Sequence, residues 1–564
     1  MTSGEGHPRR WAILAVLVVS LLVVVLDNTV LNIALPTIQR DLNASQSELV
    51  WAIDSYILSF AALLFTMGVL GDRYGRKKVL SGGLLLFGVA SGVCAFSTSG
   101  GMLIGWRAVM GIGGAAVMPV TLAIITVVFP PHERGKAIGM WAGAVGGAIA
   151  LGPVLGGVLL QNPNWTNWLT GNDWGSVFLI NVPIVAVGLY FVWRIVPETK
   201  NPAAGKLDFR GLFVSALGMF LLVYGIIHAS ETKAWLVAPV MVPIALGILL
   251  ITLFVIVEAK SEHASFDVSL FKNRGYAISL AAVSLAFFAL SGVTFTLPFY
   301  FQIIRGFGTL AAGMCFVPFA AGQLLAAPRS AAMVMKFGYR KVMTTGLVLV
   351  SLSLLGLTQV NGETPIWVTL VIFFFFGFGM GNVIAPASTL MQNVLPLSRV
   401  GAGSAVQNTV RQVGGALGVA IIGTVLATRY AANLNTAFEQ SPIPIPAPVK
   451  AAASESLIAT VNVLQNVPVV PASVVDGLQA KAFEAYVSAS HFTTAISLVI
   501  VVIAALLVGF GLPMITPPTK HAAPTGPPVD AIDALIKKES AEYAQEAAQE
   551  YESKEHGADE NKKF

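Results

Sequence analysis

The chain has 564 residues, of which 55% are hydrophobic and only 11% are charged, and its net charge is +5. Because soluble proteins carry about 25% charged residues, this composition excludes an ordinary water-soluble fold and indicates a protein that spans a lipid bilayer. The modest net charge does not favour nucleic acid as a partner. The two cysteines lie in apolar runs and the seven histidines show no metal-ligand spacing, so we expect no thiol chemistry, no metal and no cofactor.

About fourteen apolar runs are long enough to cross a membrane, which requires about 20 residues each. They lie near residues 11–36, 48–70, 79–98, 102–124, 137–160, 175–196, 211–229, 236–257, 277–303, 309–330, 342–360, 366–390, 403–428 and 490–514. The sequence therefore predicts an all-α integral membrane protein. The first run is longer than the apolar region of a cleaved signal peptide, so we expect it to be retained as a span.

Lysine and arginine are concentrated in alternate loops. Four of them lie between the second and third spans, in the stretch Arg73 to Lys78, and further groups follow the fourth, sixth, eighth and tenth spans. Because basic loops remain in the cytoplasm, this alternation predicts an even number of spans and two cytoplasmic termini. It is also compatible with a bacterial plasma membrane.

A weak internal repeat relates DRYGRKKV, after the second span, to MKFGYRKV, after the tenth. Repeated halves are typical of transporters built from two helix bundles. The repeat therefore predicts six-helix bundles at residues 11–197 and 277–514, with two inserted helices at 208–258 between them.

Three segments are expected to lie outside the membrane. Residues 1–10 form a cytoplasmic N-terminus, residues 429–489 an outer loop that has room for a short helix but no recognisable chemistry, and residues 515–564 a solvated cytoplasmic tail. The tail contains a short stretch of helical pattern, for which we expect no specific role.

The loop after the second span, GVLGDRYGRKKVL, combines glycines, an aspartate and arginines at a spacing that a generic basic loop does not explain. It resembles the loop signature of the major facilitator superfamily. The resemblance implies a latch that closes the cytoplasmic side, in which the aspartate and arginines pair with nearby helix ends. The residues that match the signature are Gly68, Asp72, Arg73, Gly75 and Arg76.

Two further stretches resemble motifs of that superfamily. Leu26 to Pro36, which contains Asp27, is similar to the first-helix motif of its fourteen-span drug:proton antiporters. Trp106 to Ala115, which contains Arg107, is similar to the fourth-helix motif, with Met110 in place of the usual glutamine. The departure at Met110 weakens any prediction of a hydrogen-bond relay there.

The fifth span carries a glycine-rich segment, GAVGGAIALGPVLGG. Glycines at this density allow helices to pack closely, and this alone is a sufficient structural explanation. The segment also resembles the fifth-helix motif of exporters, with Ala148 in place of the leading glycine. The matching residues are Gly152, Pro153, Gly156 and Gly157.

Asp27, Asp54 and Arg107 are ionisable residues within predicted spans. At about 1.5 Å per residue, they lie roughly 14, 9 and 8 Å below the outer surface, in one bundle. Since an isolated charge in lipid costs at least about 2.5–3.5 kcal/mol, we expect them to face a wet cavity or each other. The first and fourth spans line the cavity in the superfamily that the motifs resemble, and this resemblance implies that Asp27 pairs with Arg107. The pair could couple protons to a cationic substrate or simply join two helices, and Asp54 could bind a cation or face outer water.

Other residues of the spans favour structural roles. We interpret Arg411 and Gln412 as lying near the cytoplasmic end of the thirteenth span, from which the arginine can reach water. Phe288, Phe295 and Phe373 are expected to face lipid or helix seams, and some aromatic side chains could line an apolar pocket.

The resemblance implies a secondary transporter that exports lipophilic, cationic compounds in exchange for protons by alternating access. No ATP-binding loop or catalytic motif is recognisable, so we expect no enzyme activity. The expected partners are a small lipophilic substrate, protons and the lipid bilayer, and we expect a monomer. The alternatives are an exporter or flippase for a lipid or self-made metabolite with the same fold, and a receptor or scaffold that signals through its tail.

Overall fold

The computed structural model describes residues 6–42, 44, 46–200, 209–232, 234–260, 268–395, 400–439, 445–446, 449–450, 453–454, 457–465 and 472–514. Within these ranges all regular structure is helical, which confirms the prediction of an all-α protein. The predicted tail at 515–564 lies outside the described residues.

Long runs of leucine, valine and alanine form the helices of the first half. They are α1 (Arg10–Leu42), α2 (Gln46–Tyr74), α3 (Arg76–Cys94), α4 (Gly100–Val128), α5 (Pro131–Gln161), α6 (Asn167–Thr170), α7 (Ser176–Leu179) and α8 (Asn181–Ile195). Local chemistry sets several boundaries. Ser99 caps α4 by accepting a hydrogen bond from the Met102 amide at 3.3 Å, and α5 begins with a proline, which needs no amide partner there.

Two helices follow before the second half begins, α9 (Phe209–Thr232) and α10 (Ala238–Lys260). They pack against each other, and α9 also packs against α2. The assignment of these two helices as a pair inserted between two six-helix bundles stays a prediction.

The described residues of the second half form seven α-helices. They are α11 (Arg274–Phe299), α12 (Thr309–Met314), α13 (Val317–Leu357), α14 (Ile366–Val394), α15 (Val400–Glu439), α16 (Leu457–Gln465) and α17 (Ala472–Leu506). A turn of π-helix follows α11 at Tyr300–Ile304 and another follows α17 at Leu507–Gly511.

Twelve helical stretches of the described residues are long and apolar enough to cross a membrane. One of them, Leu310–Leu357, is 48 residues long and is interrupted at Gly338, whose φ is 80°. This stretch covers both the tenth and the eleventh predicted spans, and α5 covers the fifth. The twelve stretches are therefore compatible with fourteen spans, and that number stays a prediction.

The segment 429–489, expected to be an outer loop, is helical over much of its described length. Helix α15 continues to Glu439, α16 lies within the segment, and α17 begins at Ala472. Leu426, Tyr430, Leu434 and Phe438 recur every four residues and form one buried stripe of α15. This stripe packs against α16 and the start of α17, so burial of apolar surface stabilises helix where proline content suggested loop.

One end of the bundle carries the basic loops. We call it the basic end and define it as the end where α1 and α5 begin and α2 and α4 finish. There the His7 amide donates to the Val128 carbonyl at 2.9 Å, and the Arg76 amide donates to the Thr199 carbonyl at 2.8 Å. The distribution of basic residues predicts that this end faces the cytoplasm.

The two halves meet mainly through α5 and α13. Gly139 lies directly against the Ala327 carbonyl, and Gly143 and Gly147 lie against Leu324. Small residues on α5 thus allow the two backbones to approach closely. Helix α15 also packs against α2 and α4, which gives the halves a second contact.

Candidate functional site

The structure brings Asp27 and Arg107 together as a buried ion pair. Asp27 lies on α1 and Arg107 on α4, and Nη1 of Arg107 donates to Oδ2 of Asp27. The two residues are 2% and 0% exposed. Each charge is thus neutralised by the other inside the helix bundle, as the cost of burying a single charge requires.

A second donor holds the other oxygen of Asp27. The Asn181 side-chain amide, at the start of α8, donates to Asp27 Oδ1 at 2.9 Å and to Ser91 Oγ at 3.1 Å. Ser91 in turn donates to the Phe178 carbonyl at 2.9 Å. Sequence reasoning missed Asn181 and Ser91, although an asparagine within the apolar run 175–196 was a usable signal.

Arg107 has further contacts on α2. Its Nε donates to the Ala52 carbonyl at 3.0 Å, and its guanidinium carbon lies 4.4 Å from the centroid of the Tyr56 ring. Its Nη2 has no acceptor among the described residues. One guanidinium therefore connects α1, α2 and α4, and the buried Nη2 can donate to a further partner.

Asp54 lies on another face of α2. It is half-buried, and on a helix it is rotated about 200° from Ala52, which contacts Arg107. Trp51 and Leu58 share the face of Asp54 and pack against α9 and Val413 of α15. Helix geometry thus puts Asp54 on the face of α2 that packs against α9 and α15.

The predicted latch lies at the basic end. Arg76 donates to Asp72 Oδ1 from Nε at 2.9 Å and from Nη2 at 2.7 Å, and both residues are buried. The Lys77 amide donates to Glu198 Oε1 at 3.1 Å, which ties the loop to the segment after α8. Arg73 stacks on the neighbouring Tyr74 ring at 5.7 Å.

The two glycines of the latch differ in their requirements. Gly75 has a φ of 115°, and the Glu198 carboxylate occupies the space that a Cβ would need. Only glycine adopts this positive φ without strain and leaves that space free for the carboxylate. Gly68 is buried within α2.

A second ion pair at the basic end joins α1 to α5. Arg10 donates to Glu133 from Nε at 2.5 Å and from Nη2 at 3.0 Å. These bonds hold the pKa of the Glu133 carboxyl below its usual range, so the pair stays ionised at neutral pH. The sequence analysis did not identify this pair.

The fifth-helix motif connects α5 to the ion pair. Gly152 lies against Thr29 of α1, two residues after Asp27, so closely that a Cβ would overlap Thr29 Oγ1. A Cβ at Gly157 would instead lie 3.6 Å from Leu310, an ordinary contact. Gly156 is buried in the same helix, which also contains Pro153.

Arg411 does not reach water, contrary to the expectation for this residue. It is 5% exposed, its Nη2 lies 2.6 Å from Met118 Sδ of α4, and its guanidinium carbon lies 5.0 Å from the centroid of the Phe287 ring of α11. At about 1.5 Å per residue, Arg411 is some 16 Å along α15, too deep for its side chain to reach the helix start.

Buried amides and hydroxyls link the halves nearer the basic end. Gln392 of α14 accepts from Ser404 Oγ at 3.2 Å and donates to Gln407 Oε1 at 3.2 Å. Thr126 Oγ1 of α4 lies 3.4 Å from Gln392 Oε1, and Gln407 donates to Ser388 Oγ at 2.5 Å. Because Thr126 belongs to the first half, this polar cluster spans the seam.

Comparisons with known proteins agree with this architecture. The chain is 31% identical to the "Multidrug efflux pump LfrA" of Mycolicibacterium smegmatis over 90% of its own length and 98% of the relative. It is 30% identical to the "Methyl viologen resistance protein SmvA" of Salmonella typhimurium over 82% and 90% of the two chains. The solved structure of the proton:xylose symporter XylE matches with a TM-score of 0.56 and 15% identity over 89% and 96%, which supports the fold alone.

The family comparison covers most of the chain. Residues 17–419 match the model of the Major Facilitator Superfamily. The protein is therefore a multi-pass membrane transporter rather than an enzyme, and the chain belongs to the Major Facilitator Superfamily.

Proposed function

We propose that this protein exports lipophilic, cationic drugs and other toxic compounds in exchange for protons, by alternating access. The observation that carries the proposal is the buried pair of Asp27 and Arg107, in which the carboxylate also accepts from Asn181. A carboxylate in this setting can hold a proton or balance a cation, but not both at once.

Protonation of Asp27 would change the conformational energy of the protein through its pair with Arg107. A proton on Asp27 removes the charge that neutralises Arg107, and breaking a buried pair costs about 3–5 kcal/mol. Moving a two-state conformational equilibrium from 1:99 to 99:1 requires about 5.5 kcal/mol. The cost of breaking the pair is of similar size, so protonation of Asp27 can shift the balance between two conformations. Hydration of the site from one side and then the other lets Asp27 load and release protons on opposite sides.

The helix contacts provide a route from this event to the whole molecule. Helix α1 meets α5 at Thr29 and Gly152, beside Asp27, and α5 packs along α13 of the second half. A shift of α1 against α5 would therefore alter the seam between the halves.

The relatives support drugs as the cargo. The names of LfrA and SmvA refer to multidrug efflux and to resistance against methyl viologen, which is an organic dication. They do not favour the alternative of a lipid or metabolite exporter. We further propose that the protein has fourteen spans, is monomeric, lies in a bacterial plasma membrane and has both termini in the cytoplasm.

The test is proton flux in proteoliposomes that carry a pH gradient, with a panel of lipophilic cations. We expect at least one cation to dissipate the gradient with the wild type and not with Asp27→Asn. The control is Asp476→Asn, which removes an exposed carboxylate from α17 and should behave as wild type.

Two results would contradict the proposal. Equal flux in the wild type and Asp27→Asn would remove Asp27 from proton coupling. If no cation moves protons through folded wild-type protein while labelled lipid is transported, the alternative cargo replaces drugs.

A further inference from the structure

Three arginines are buried in the described part of the chain, and two of them have a carboxylate partner. Arg76 pairs with Asp72 and Arg107 pairs with Asp27. No carboxylate of the described residues lies within 4.0 Å of the third, Arg411. Among the described residues its Nε has no hydrogen-bond acceptor, and the partner of its Nη2 is the thioether of Met118.

This environment does not neutralise a guanidinium. A thioether is a weak acceptor, and the face of Phe287 attracts a cation without removing its charge. Burying a cation without a counter-charge is costly, so such residues in membrane proteins mark a site of function. Arg411 thus has donors and charge in excess of what its neighbours use.

The position of Arg411 is on the seam between the halves. Its neighbours are Phe287 on α11 of the second half and Met118 on α4 of the first. Along α4, Met118 lies about 16 Å nearer the basic end than Arg107. A substrate that travels between the halves from the basic end would reach Arg411 before the Asp27–Arg107 pair.

Motion of the halves would open this site. Helix α15 is held closely to α11, because Gly414 lies against the Ser284 carbonyl and Gly418 against that of Phe288. Met118 belongs to α4, which is on the other side of the seam. If α4 moved away, Arg411 would lose its contact with the Met118 sulfur. Its N–H donors would then face the space between the two halves, beside the Phe287 ring.

We propose that Arg411 binds an anionic group of the substrate, a carboxylate or a similar oxyanion, at an intermediate station between the halves. A guanidinium offers parallel N–H donors that match the two oxygens of a carboxylate, and the adjacent aromatic ring suits an amphiphilic molecule. The inference rests on the proposed export function and extends its substrate class from lipophilic cations to zwitterionic and acidic amphiphiles.

The test uses matched dyes that differ in one charge. Three aromatic dyes are prepared as free carboxylic acids and as methyl esters, such as a zwitterionic rhodamine and its cationic ester. Binding to purified full-length protein is measured by fluorescence anisotropy. The variants are Arg411→Gln, Arg411→Lys and, as control, Arg329→Gln, which removes an exposed arginine from α13.

We expect Arg411→Gln to weaken binding of the acids about tenfold or more and of the esters less than about threefold, as for loss of a charge-assisted contact. Arg411→Lys should give an intermediate loss of affinity for the acids, since lysine keeps the positive charge but lacks the parallel N–H donors of the guanidinium. Arg329→Gln should bind both dyes as the wild type does.

The proposal is overturned if acids and esters lose affinity equally in Arg411→Gln, because that pattern indicates a packing role. It is also overturned if the wild type binds none of the acids or if Arg411→Gln changes neither affinity. Drug-proton exchange is judged separately, by ester-driven proton flux in the wild type and Asp27→Asn. Failure there leaves the difference between acids and esters intact as a result about binding.

Discussion

At the scale of single residues, the buried charge of Asp27 is balanced by an ion pair and by an amide donor. The Asp27 carboxylate accepts from Arg107 through one oxygen and from Asn181 through the other. Arg107 is stacked on Tyr56 and bonded to the Ala52 carbonyl, which limits its rotation. The carboxylate is therefore held in one orientation by groups from α4 and α8.

Replacing Asn181 by leucine should impair coupling while preserving volume. The change removes the 2.9 Å hydrogen bond to Asp27, and a bond to a charged group contributes about 1.5–3 kcal/mol. We expect substrate-driven proton flux to fall about tenfold or more. Ser91→Ala removes the contact with Asn181 and the bond to the Phe178 carbonyl, but leaves the bond to Asp27, and should have a smaller effect. If Asn181→Leu shows the same flux as the wild type, Asn181 has only a packing role.

At the scale of helices, the close contact between α1 and α5 connects the ion pair to the seam. A side chain at position 152 would overlap Thr29, whereas position 157 has room for a methyl group. The same motif therefore contains one glycine that the packing requires and another that it does not. That difference could not be read from the spacing of the glycines.

Gly152→Ala should push α5 away from α1 and reduce transport strongly. Overpacking of this kind costs about 1–3 kcal/mol, so the protein should fold with a lower thermal midpoint. Gly157→Ala is the matched control and should retain wild-type flux and stability. Equal behaviour of the two variants, in flux and in thermal unfolding, would show that the contact at Thr29 has no particular role.

At the scale of the whole molecule, the halves are joined by two kinds of contact. Glycines of α5 bring its backbone against α13, and the polar cluster around Gln392 links α4, α14 and α15 near the basic end. Hydrogen bonds of neutral amides contribute only about 0.5–1.5 kcal/mol each. No single bond of this cluster therefore contributes much to holding the two halves together.

Gln392→Leu should favour opening of the basic end. The substitution removes the bonds to Ser404 and Gln407 and the approach of Thr126. We expect a severalfold increase in labelling of a cysteine placed at Ala331, which faces Gly135 across the α5–α13 seam. The assay uses an impermeant maleimide and a background without Cys94 and Cys315.

The control for this measurement is Gln359→Leu, which changes an exposed glutamine at the opposite end of the bundle. It should leave labelling at Ala331 unchanged. If Gln392→Leu also leaves labelling unchanged, the polar cluster does not hold the seam closed.

The sequence by itself determined the class of protein, the approximate positions of its spans and the need of Asp27 and Arg107 for a partner or a wet cavity, while their pairing with each other followed from the family resemblance of their motifs. The reason is physical: apolar length and the cost of isolated charge in lipid restrict which residues can be buried and how. Only the tertiary structure decided that Asn181 donates to Asp27, that Asp54 lies on a different face of α2 and that most of the described residues of segment 429–489 are helical. It also decided that Arg411 is enclosed without a carboxylate, because partners 100 or more residues apart are set by packing that no local pattern records.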